Sequence, residues 1–291
     1  MICSFATCRK LPLGTPDDML LVPLLATQGW IVKPAIWNDP AVDWSQFDCV
    51  VVRSTWDYFL DYPAFQNWLT GLEKKKVRVF NSLPTLRWNL DKSYLKKLQA
   101  SGVPTIPTHF IDEETHLADL CATTGWDQLV LKPTVSADGH GTIRFAASDA
   151  SQHQNFLDQR LKKSSMMLQP YLPGVTQNGE RSYLYFNKKF SHCVLKKPKA
   201  GEFLVQTTHG GSAQEVAPQM QDFKIAEHVL SLVPEDLLYA RVDLIENAGK
   251  TYLGELELVE PSLYFALNRS SLDKFVSALI HFSQRVRRGE G

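Results

Sequence analysis

Three acids in the C-terminal third of the sequence are spaced so that they could act together. Asp243 lies in the run Tyr-Ala-Arg-Val-Asp-Leu-Ile-Glu that starts at Tyr239, and Glu255 and Glu257 lie in Tyr-Leu-Gly-Glu-Leu-Glu-Leu-Val-Glu-Pro, which starts at Tyr252. Strand side chains alternate between faces. Arg241 and Asp243 therefore share one face of the first run, and Glu255 and Glu257 share one face of the second, with Leu256 and Leu258 opposite. Magnesium uses one or two carboxylates and lets phosphates fill its remaining positions, and Arg241 beside them suits phosphate oxygens. Three crowded acids repel one another unless a cation joins them. Taken alone, the same alternation is equally that of a half-solvated sheet.

Further upstream, Leu129-Val-Leu-Lys132-Pro-Thr-Val-Ser136-Ala-Asp-Gly139-His-Gly141 ends an apolar strand on a lysine and continues into a loop of small residues. An ammonium and several backbone N–H groups aimed together can hold phosphate, although a surface hairpin has the same composition. Neither Gly-x-x-x-x-Gly-Lys-Ser/Thr nor Gly-x-Gly-x-x-Gly is present, so the common helix-opening phosphate loops are excluded. Gln169-Pro-Tyr171-Leu172-Pro173 reads as a strand stopped by prolines, either a backbone edge for an adenine or a stiff hinge. Gly179-Glu180-Arg181 reads by itself as a polar turn. Thr207-Thr-His209-Gly210-Gly211 is a flexible stretch close in sequence to Lys196 and Lys197, where a histidine could sit over an anionic intermediate.

These residues need elements to hold them. Over residues 1–85 the pattern alternates strand and helix: strands at 2–8, 31–37, 49–53 and 77–81, helices at 17–29 and 63–75. That alternation predicts a small parallel sheet with helices on both faces. Ligands of such sheets gather at the carboxyl ends of the strands, which makes Arg53-Ser-Thr-Trp56-Asp57-Tyr58 the ligand-facing loop. A capped helix over 89–102 follows, then strands at 128–132 and 166–169 and a hairpin-like pair at 182–186 and 190–195. Leu272, Phe275, Val276 and Leu279 then mark a terminal amphipathic helix.

At 291 residues the chain exceeds a single core, so two or three subdomains are expected. Its 44% apolar and 21% charged content is ordinary for a globular protein. Lys plus Arg and Asp plus Glu balance at 31 each, which removes any whole-chain electrostatic case for nucleic acid or an anionic membrane. The N-terminal residues lack the basic start and long apolar run of a secretory signal, and no apolar run reaches spanning length, so a cytoplasmic protein is expected. Five scattered cysteines are expected to be reduced thiols.

Taken in order, Lys92, Lys132 with its Gly loop, Gln169-Pro-Tyr-Leu-Pro, Gly-Glu-Arg181, Gly210-Gly211, Asp243 and Glu255-Leu-Glu257 resemble the ATP-grasp superfamily, and within it the prokaryotic glutathione synthetase-like ligases. Arg53-Ser-Thr-Trp-Asp-Tyr, Thr-His209-Gly-Gly and Glu-Leu-Glu-Leu-Val-Glu-Pro-Ser262 are similar to the branch that contains the ligase closing O-ureido-serine into the cycloserine ring. The resemblance implies an α/β protein: an N-terminal Rossmann-like parallel-sheet domain over 1–85, then an ATP-grasp domain over 86–291 whose two α+β subdomains sandwich ATP, with a lid subdomain over 103–170. It implies that Lys92 and Lys132 hold ATP phosphates under a lid loop that includes Ser136, Gly139 and Gly141, and that Gln169, Tyr171 and Leu172 take the adenine. Glu180 joins this nucleotide set, one position away from the ribose-contacting acid of some relatives. Asp243, Glu255 and Glu257 would hold Mg2+. Glu257 stands where many relatives have Asn. Arg181, Lys197, Arg241, His209, Gly210 and Gly211 would face the reacting acyl phosphate, with Arg53, Trp56 and Asp57 contacting the substrate.

The implied activity is ATP- and Mg-dependent formation of a C–N bond on a small amino-acid or peptide-like substrate through an acyl phosphate, with ring closure within one molecule as one form. A nucleotide-binding scaffold without turnover and a kinase of small acids are the competing readings. Nucleic acid and membrane are not expected partners, and a homodimer stays open.

Overall fold

The computed structural model describes residues 1–287. Its first sheet is parallel, in the order β2 (Ile31–Ile36), β1 (Ile2–Thr7), β3 (Cys49–Ser54), β4 (Val79–Phe80). β3 is buried along its whole length, as the unbroken run Cys-Val-Val-Val requires of a strand covered on both faces. Cys3, Phe5 and Val51 pack on helix α2 (Leu21–Thr27), while Val52 on the opposite face meets Phe65 and Leu69 of α3 (Tyr62–Lys74). The helix expected over 17–29 is split at Leu20 into α1 (Pro16–Met19) and α2. Thr15 caps α1, and its residue Asp18 is buried.

The helix expected over 89–102 is also two elements. Ser82 caps α4 (Leu83–Asn89) by accepting from Thr85 N–H, and α5 begins only at Tyr94 (Tyr94–Ala100). Lys92 therefore sits in the turn between two helices and not on a helix. That turn is anchored because Lys92 N–H donates to Thr134 O at 2.9 Å.

An antiparallel sheet follows, in the order β5 (His109–Ile111), β8 (Met166–Pro170), β6 (Gln128–Pro133), β7 (Ile143–Ala146). Helices α6 (Leu117–Thr124) and α7 (Gln154–Leu161) pack on it through Leu117, Cys121 and Leu157. The short helix α8 (Gly174–Gln177) leads into the third sheet. This one is antiparallel, in the order β11 (Ser212–Val216), β10 (Lys189–Lys197), β9 (Glu180–Phe186), β12 (Tyr239–Asn247), β13 (Lys250–Glu257). Asn187 and Lys188, with φ of 49° and 54°, make the two-residue turn joining β9 to β10.

Helix α9 (Met220–Ser231) buries Ala226 and Val229 against one face of the third sheet, on Tyr183, Tyr185, Val242 and Leu256. The other face is divided. At one end Leu184, Phe186, Val194 and Tyr239 join the core of the first sheet and of α10 (Ser270–Arg287). Leu272, Phe275, Val276 and Leu279 of α10 are all in that core, as the helical spacing predicts. At its other end the face is charged and open. All five cysteines are free and buried, and no helix among the described residues is long and apolar enough to cross a membrane.

Where α10 meets the sheet, His192 is 3% exposed, with Nδ1 2.9 Å from Ser191 Oγ and Nε2 3.1 Å from Leu263 O. Burial lowers its pKa to about 4. A histidine held neutral in the folded state adds stability above its unfolded pKa, and that stability is lost as pH falls through 6.5 toward 4. The stability difference between wild type and His192→Gln, read from urea unfolding, should shift by about 2 kcal/mol against the wild type between pH 7 and pH 5. A difference that stays constant with pH would refute the neutral buried imidazole.

Candidate active site

The second and third sheets face each other across a cavity of about 250 Å3, and the loop after β3 closes one side with Trp56 and Tyr58. One end is apolar, walled by Ile106, Val130, Leu172, Val175, Phe203 and Ile245. The other end is ionic, with Lys92, Lys132, Glu180, Lys196, Arg241, Glu255, Glu257 and Glu260 along its wall.

Pairing of the strands puts the acids of β12 and β13 on one face, because Arg241 stands opposite Glu257 and Asp243 opposite Glu255. Arg241 bonds Asp243 through Nε (3.0 Å to Oδ1) and Nη2 (2.9 Å to Oδ2), and its Nη2 also pairs with Glu257. Lys196 Nζ lies 3.0 Å from Asp243 Oδ2 and also pairs with Glu180, while Ser182 Oγ donates to Asp243 Oδ1 at 2.6 Å. Lys92 Nζ lies 3.0 Å from Glu255 Oε1 and donates to Ser136 O at 2.9 Å.

The protonation energetics follow from these partners. Burial alone would raise the Asp243 carboxyl, but Arg241 and Lys196 outweigh it and hold Asp243 well below the ordinary range. Burial pushes Glu257 up to about 7 even with Arg241 beside it, the charges of Glu255 and Asp243 adding to the rise. Glu260 is pushed up to about 8, first by burial and then by Glu257. Burial lowers the pKa of Lys132, which has no ion-pair or hydrogen-bond partner among the described residues. The ionic end thus leaves two titratable side chains without a partner, the Lys132 ammonium and the Glu260 carboxyl, the latter held largely protonated at neutral pH by its burial.

β13 is an edge strand whose outer edge is met at Leu253 by the backbone of Pro104 and Ile106 and, beside the acids, by side chains. Tyr94 OH donates to Leu256 O and accepts from Leu256 N–H, both at 2.9 Å. Asn89 Nδ2 donates to Leu256 O at 2.8 Å, and its Oδ1 accepts from Leu258 N–H at 2.7 Å. Asn81 Nδ2 donates to Leu258 O at 2.8 Å and to Tyr239 O at 2.9 Å. The residue between Glu255 and Glu257 is thereby clamped, which fixes where both acids point.

The loop 134–142 is seated over the cavity. Asp138 accepts from Thr208 Oγ1 at 2.6 Å, and His209 Nε2 lies 3.0 Å from Asp138 O. On the other side the Phe59 and His140 rings are 4.8 Å apart, and Tyr58 OH lies 3.4 Å from Ser136 O. Gly139, at φ +69°, lies under Leu204, where a Cβ would come within 3.1 Å.

Ser136, Gly139, Gln169, Tyr171 and Leu172 line the cavity with Lys92 and Lys132. Gln169 is 3% exposed and its Nε2 donates to Thr108 Oγ1 at 2.8 Å, while the Arg144 guanidinium covers the Tyr171 ring at 3.7 Å. Gly141, at φ +74°, turns the far end of the loop and is not in the wall.

Several expected site residues are placed elsewhere. Arg181 and Lys197 lie outside the cavity wall. Arg181 pairs with Leu195 and Leu244 on the α9 face, and the inward positions belong to Glu180 and to Lys196, which the sequence reading did not select. Glu180 is bound to Lys196, which occupies the carboxylate expected to join the nucleotide set. His209 holds the lid loop and does not reach the acids. Gly210 and Gly211 also lie outside the wall, where the second is fitted against Val205 O too closely for any Cβ.

Arg53 is 1% exposed and committed to Asp18, with Nη2 at 2.7 Å from Oδ1 and 3.0 Å from Pro261 O, so it is not open to a substrate carboxylate. Asp57 accepts from Trp37 Nε1 at 2.6 Å and is likewise occupied. Only Trp56 of the three expected substrate contacts lines the cavity, its Nε1 donating to Glu260 O at 2.9 Å. The sequence reading also missed the contribution of Phe203 to the apolar end, since nothing in its neighbourhood distinguishes it from a loop aromatic.

A charged face opposed by a Gly-loop sheet, with a parallel-sheet unit alongside, is the arrangement of an ATP-grasp ligase, and the comparisons agree. The profile of the prokaryotic glutathione synthetase ATP-grasp domain matches residues 96–270, and that of the N-terminal domain of D-cycloserine synthetase DcsG matches residues 3–81. The chain belongs to the ATP-grasp family and is an ATP-dependent C–N ligase.

Among its relatives, it is 30% identical to the cycloserine biosynthesis protein DcsG of Streptomyces lavendulae, covering 91% of this chain and 94% of that one. It is 23% identical to the glutathione synthetase of Prochlorococcus marinus, covering 86% and 77%. The crystal structure of D-cycloserine synthetase DcsG superposes with a TM-score of 0.86 at 29% identity, covering 97% of this chain and all of that one. The D-alanine–D-alanine ligase of Bacillus anthracis shares the fold, with a TM-score of 0.70 at 16% identity and full coverage of both chains.

Replacing Tyr94 by Phe deletes only the hydroxyl that serves Leu256 and leaves the buried Leu256 N–H without a partner, while Leu256 O keeps Asn89 Nδ2. Tyr94→Phe should lower the stability by about 2 kcal/mol, seen as a lower urea midpoint at unchanged slope. An unchanged midpoint would show that the edge of β13 is held without it.

Proposed function

We propose that this ligase binds ATP and Mg2+ in the cavity and transfers the terminal phosphoryl group of ATP to the carboxylate or a similar oxygen nucleophile of a small amino-acid-like substrate, releasing ADP; an amine then attacks the acyl carbon, displaces phosphate and gives up a proton. Similarity to D-cycloserine synthetase supports an intramolecular amine, and hence ring closure. The observation that carries this reading is the unpaired Lys132, facing the same cavity as Glu255 and Glu257 and next to an apolar slot.

The acids suit a magnesium site that phosphates complete. Glu255 and Glu257 line the cavity, and burial, with Glu255 and Asp243 close by, raises the pKa of Glu257. Among the described residues no three His, Cys, Asp or Glu side chains make a closed cage, which fits a cation that uses one or two carboxylates. Asp243 would join only by exchanging its contacts with Arg241, Lys196 and Ser182. When bound, the metal would shield phosphate charge.

The chain's own residues do the rest. Lys92 and Lys132 neutralise phosphate oxygens, as phosphoryl transfer is chiefly positioning and electrostatics. Arg241, on the cavity wall beside the acids, would complement charge on the acyl phosphate. Backbone around 169–172, with Phe203, walls the base. The loop 134–142 and the second sheet that carries it, the lid subdomain of this reading, exclude the water that would hydrolyse the intermediate. Lys196 positions Asp243 and needs no contact with a reactant.

The test is Mg-dependent ADP release across amino acids, dipeptides and ureido-amino acids, with mass analysis of products. Glu255→Gln should lower ADP formation at least about 100-fold. Lys132→Met should do the same while leaving the melting temperature equal or higher, since it removes an unpaired, partly buried cation. Full activity in both variants would refute the site. A phosphorylated acid with no amine consumed would favour the kinase, and ATP binding without stimulated ADP release would favour the scaffold.

A further inference from the structure

Most charged side chains of the cavity are paired, and Asp138 of the lid loop accepts from Thr208 Oγ1; two others have no partner. Lys92 answers Glu255, Arg241 answers Asp243 and Glu257, and Lys196 answers Glu180 and Asp243. Lys132 is the cation left over, and phosphate accounts for it in the ligase reading. Glu260 is the acid left over: its carboxyl makes no hydrogen bond or ion pair among the described residues, though it lines the cavity, and a cation brought beside it would draw it to the ionised form.

Its backbone, by contrast, is fixed at three successive residues. Trp56 Nε1 donates to Glu260 O at 2.9 Å, Arg53 Nη2 to Pro261 O at 3.0 Å, and Arg241 Nη1 to Ser262 O at 3.3 Å. Asp17 extends the clamp by accepting from Phe265 N–H at 2.9 Å and Ala266 N–H at 2.7 Å. The first sheet and α1 thus hold this loop rigidly while its one acid stays uncommitted. A pinned backbone with an unpartnered acid at its tip is suited to binding, because only that side chain, and not the loop, must be ordered when a partner arrives.

The surroundings distinguish among cations. Trp56, Tyr58 and Tyr264 stand in the same part of the wall, and aromatic faces favour organic ammonium groups, whereas Mg2+ seeks several oxygens at once.

We propose that Glu260 receives a protonated amino group of the substrate, so that the acid activated by this ligase also carries a free ammonium. The inference rests on the ligase reading and narrows its substrate class to amino acids and their derivatives with an unblocked amine. Arg53 and Asp18 are then positioning residues: they act on the substrate only through the loop that presents Glu260.

The full-length protein is tested with amino acids, ureido-amino acids and dipeptides, each paired with its N-acetylated form. Calorimetric binding is measured in the presence of ADP and Mg2+, alongside ADP release from ATP. Wild type should bind the free amines at least about 30-fold more tightly than the acetylated forms. Glu260→Gln should lose most of that preference while its ATP KM and half-saturating Mg2+ stay within about twofold, and Glu260→Asp, which keeps the charge, should retain part of it. Absence of discrimination by wild type, or no binding of any free amine, overturns the proposal. So does a Glu260→Gln defect confined to Mg2+ dependence, which would make Glu260 a metal ligand. Lack of ADP release with every acid would count against the ligase reading instead, and the binding comparison decides the role of Glu260 in either case.

Discussion

One face of the five-stranded sheet carries charge out of water, and this constraint shapes the rest of the site. Asp243 is 2% exposed, Lys196 4% and Arg241 7%, so each needs a partner close by. The sheet meets that need by register. Arg241 and Asp243 stand opposite Glu257 and Glu255, while Ser182 on β9 and Lys196 on β10 approach Asp243 from the other side. A slip of one residue in β12 or β13 would turn these charges toward Leu244 and Leu256, into the apolar face under α9. Burial of an unpaired ion costs several kcal/mol, so the network acts as a lock on register more than as a source of net stability.

The same constraint explains why the outer edge of β13 beside the acids, past the backbone bridge at Leu253, is closed by side chains. Another strand there would occupy the path by which the turn bearing Lys92 reaches Glu255. Asn81, Asn89 and Tyr94 satisfy the edge with single side chains, which leaves room for Lys92. Those residues come from the connection between the first sheet and the second, so the segment that joins two units also fixes the acids of a third. The Arg53–Asp18 pair works in parallel on the next loop. Both devices carry the position of the parallel sheet into the cavity without placing the carboxyl ends of its strands there, apart from Trp56 and Tyr58.

Much of this was legible in the sequence where period alone decides. The apolar run Cys49 to Val52, the helical spacing of Leu272 to Leu279 and the alternation of Arg241, Asp243, Glu255 and Glu257 each fix a face without knowledge of neighbours. Lys196 and Lys197 are adjacent, and period cannot choose between them, because the choice depends on parity counted from the turn at Asn187. A bulge between Phe190 and His192 inserts one residue into β10 and reverses that parity, bringing Lys196 to the side of Glu180. Arg53 illustrates a different limit: an arginine at the end of a parallel strand reads as a ligand contact, and only the tertiary structure brings Asp18 to neutralise it. Asn89 reads as a helix cap for a comparable reason. Its amide suits either role, and the partner that decides, Leu256, lies far along the chain.

Lys132 and Glu260 could in principle have answered one another, and their failure to do so follows from the way the cavity is built. Lys132 ends a strand of the second sheet, while Glu260 hangs from a loop anchored to the first sheet and to Arg241. The Lys92–Glu255 pair belongs to the wall between the two sheets, and its lysine also grips the lid loop at Ser136. Each free charge is thus mounted on a different rigid unit, and neither can relax toward the other without breaking pairs that are already buried. One a cation and the other an acid that burial keeps largely protonated until a cation arrives, they leave the cavity electrostatically incomplete in two places. Anions are favoured at one and cations at the other, so a reactant set that carries both signs gains most by entering in a single orientation.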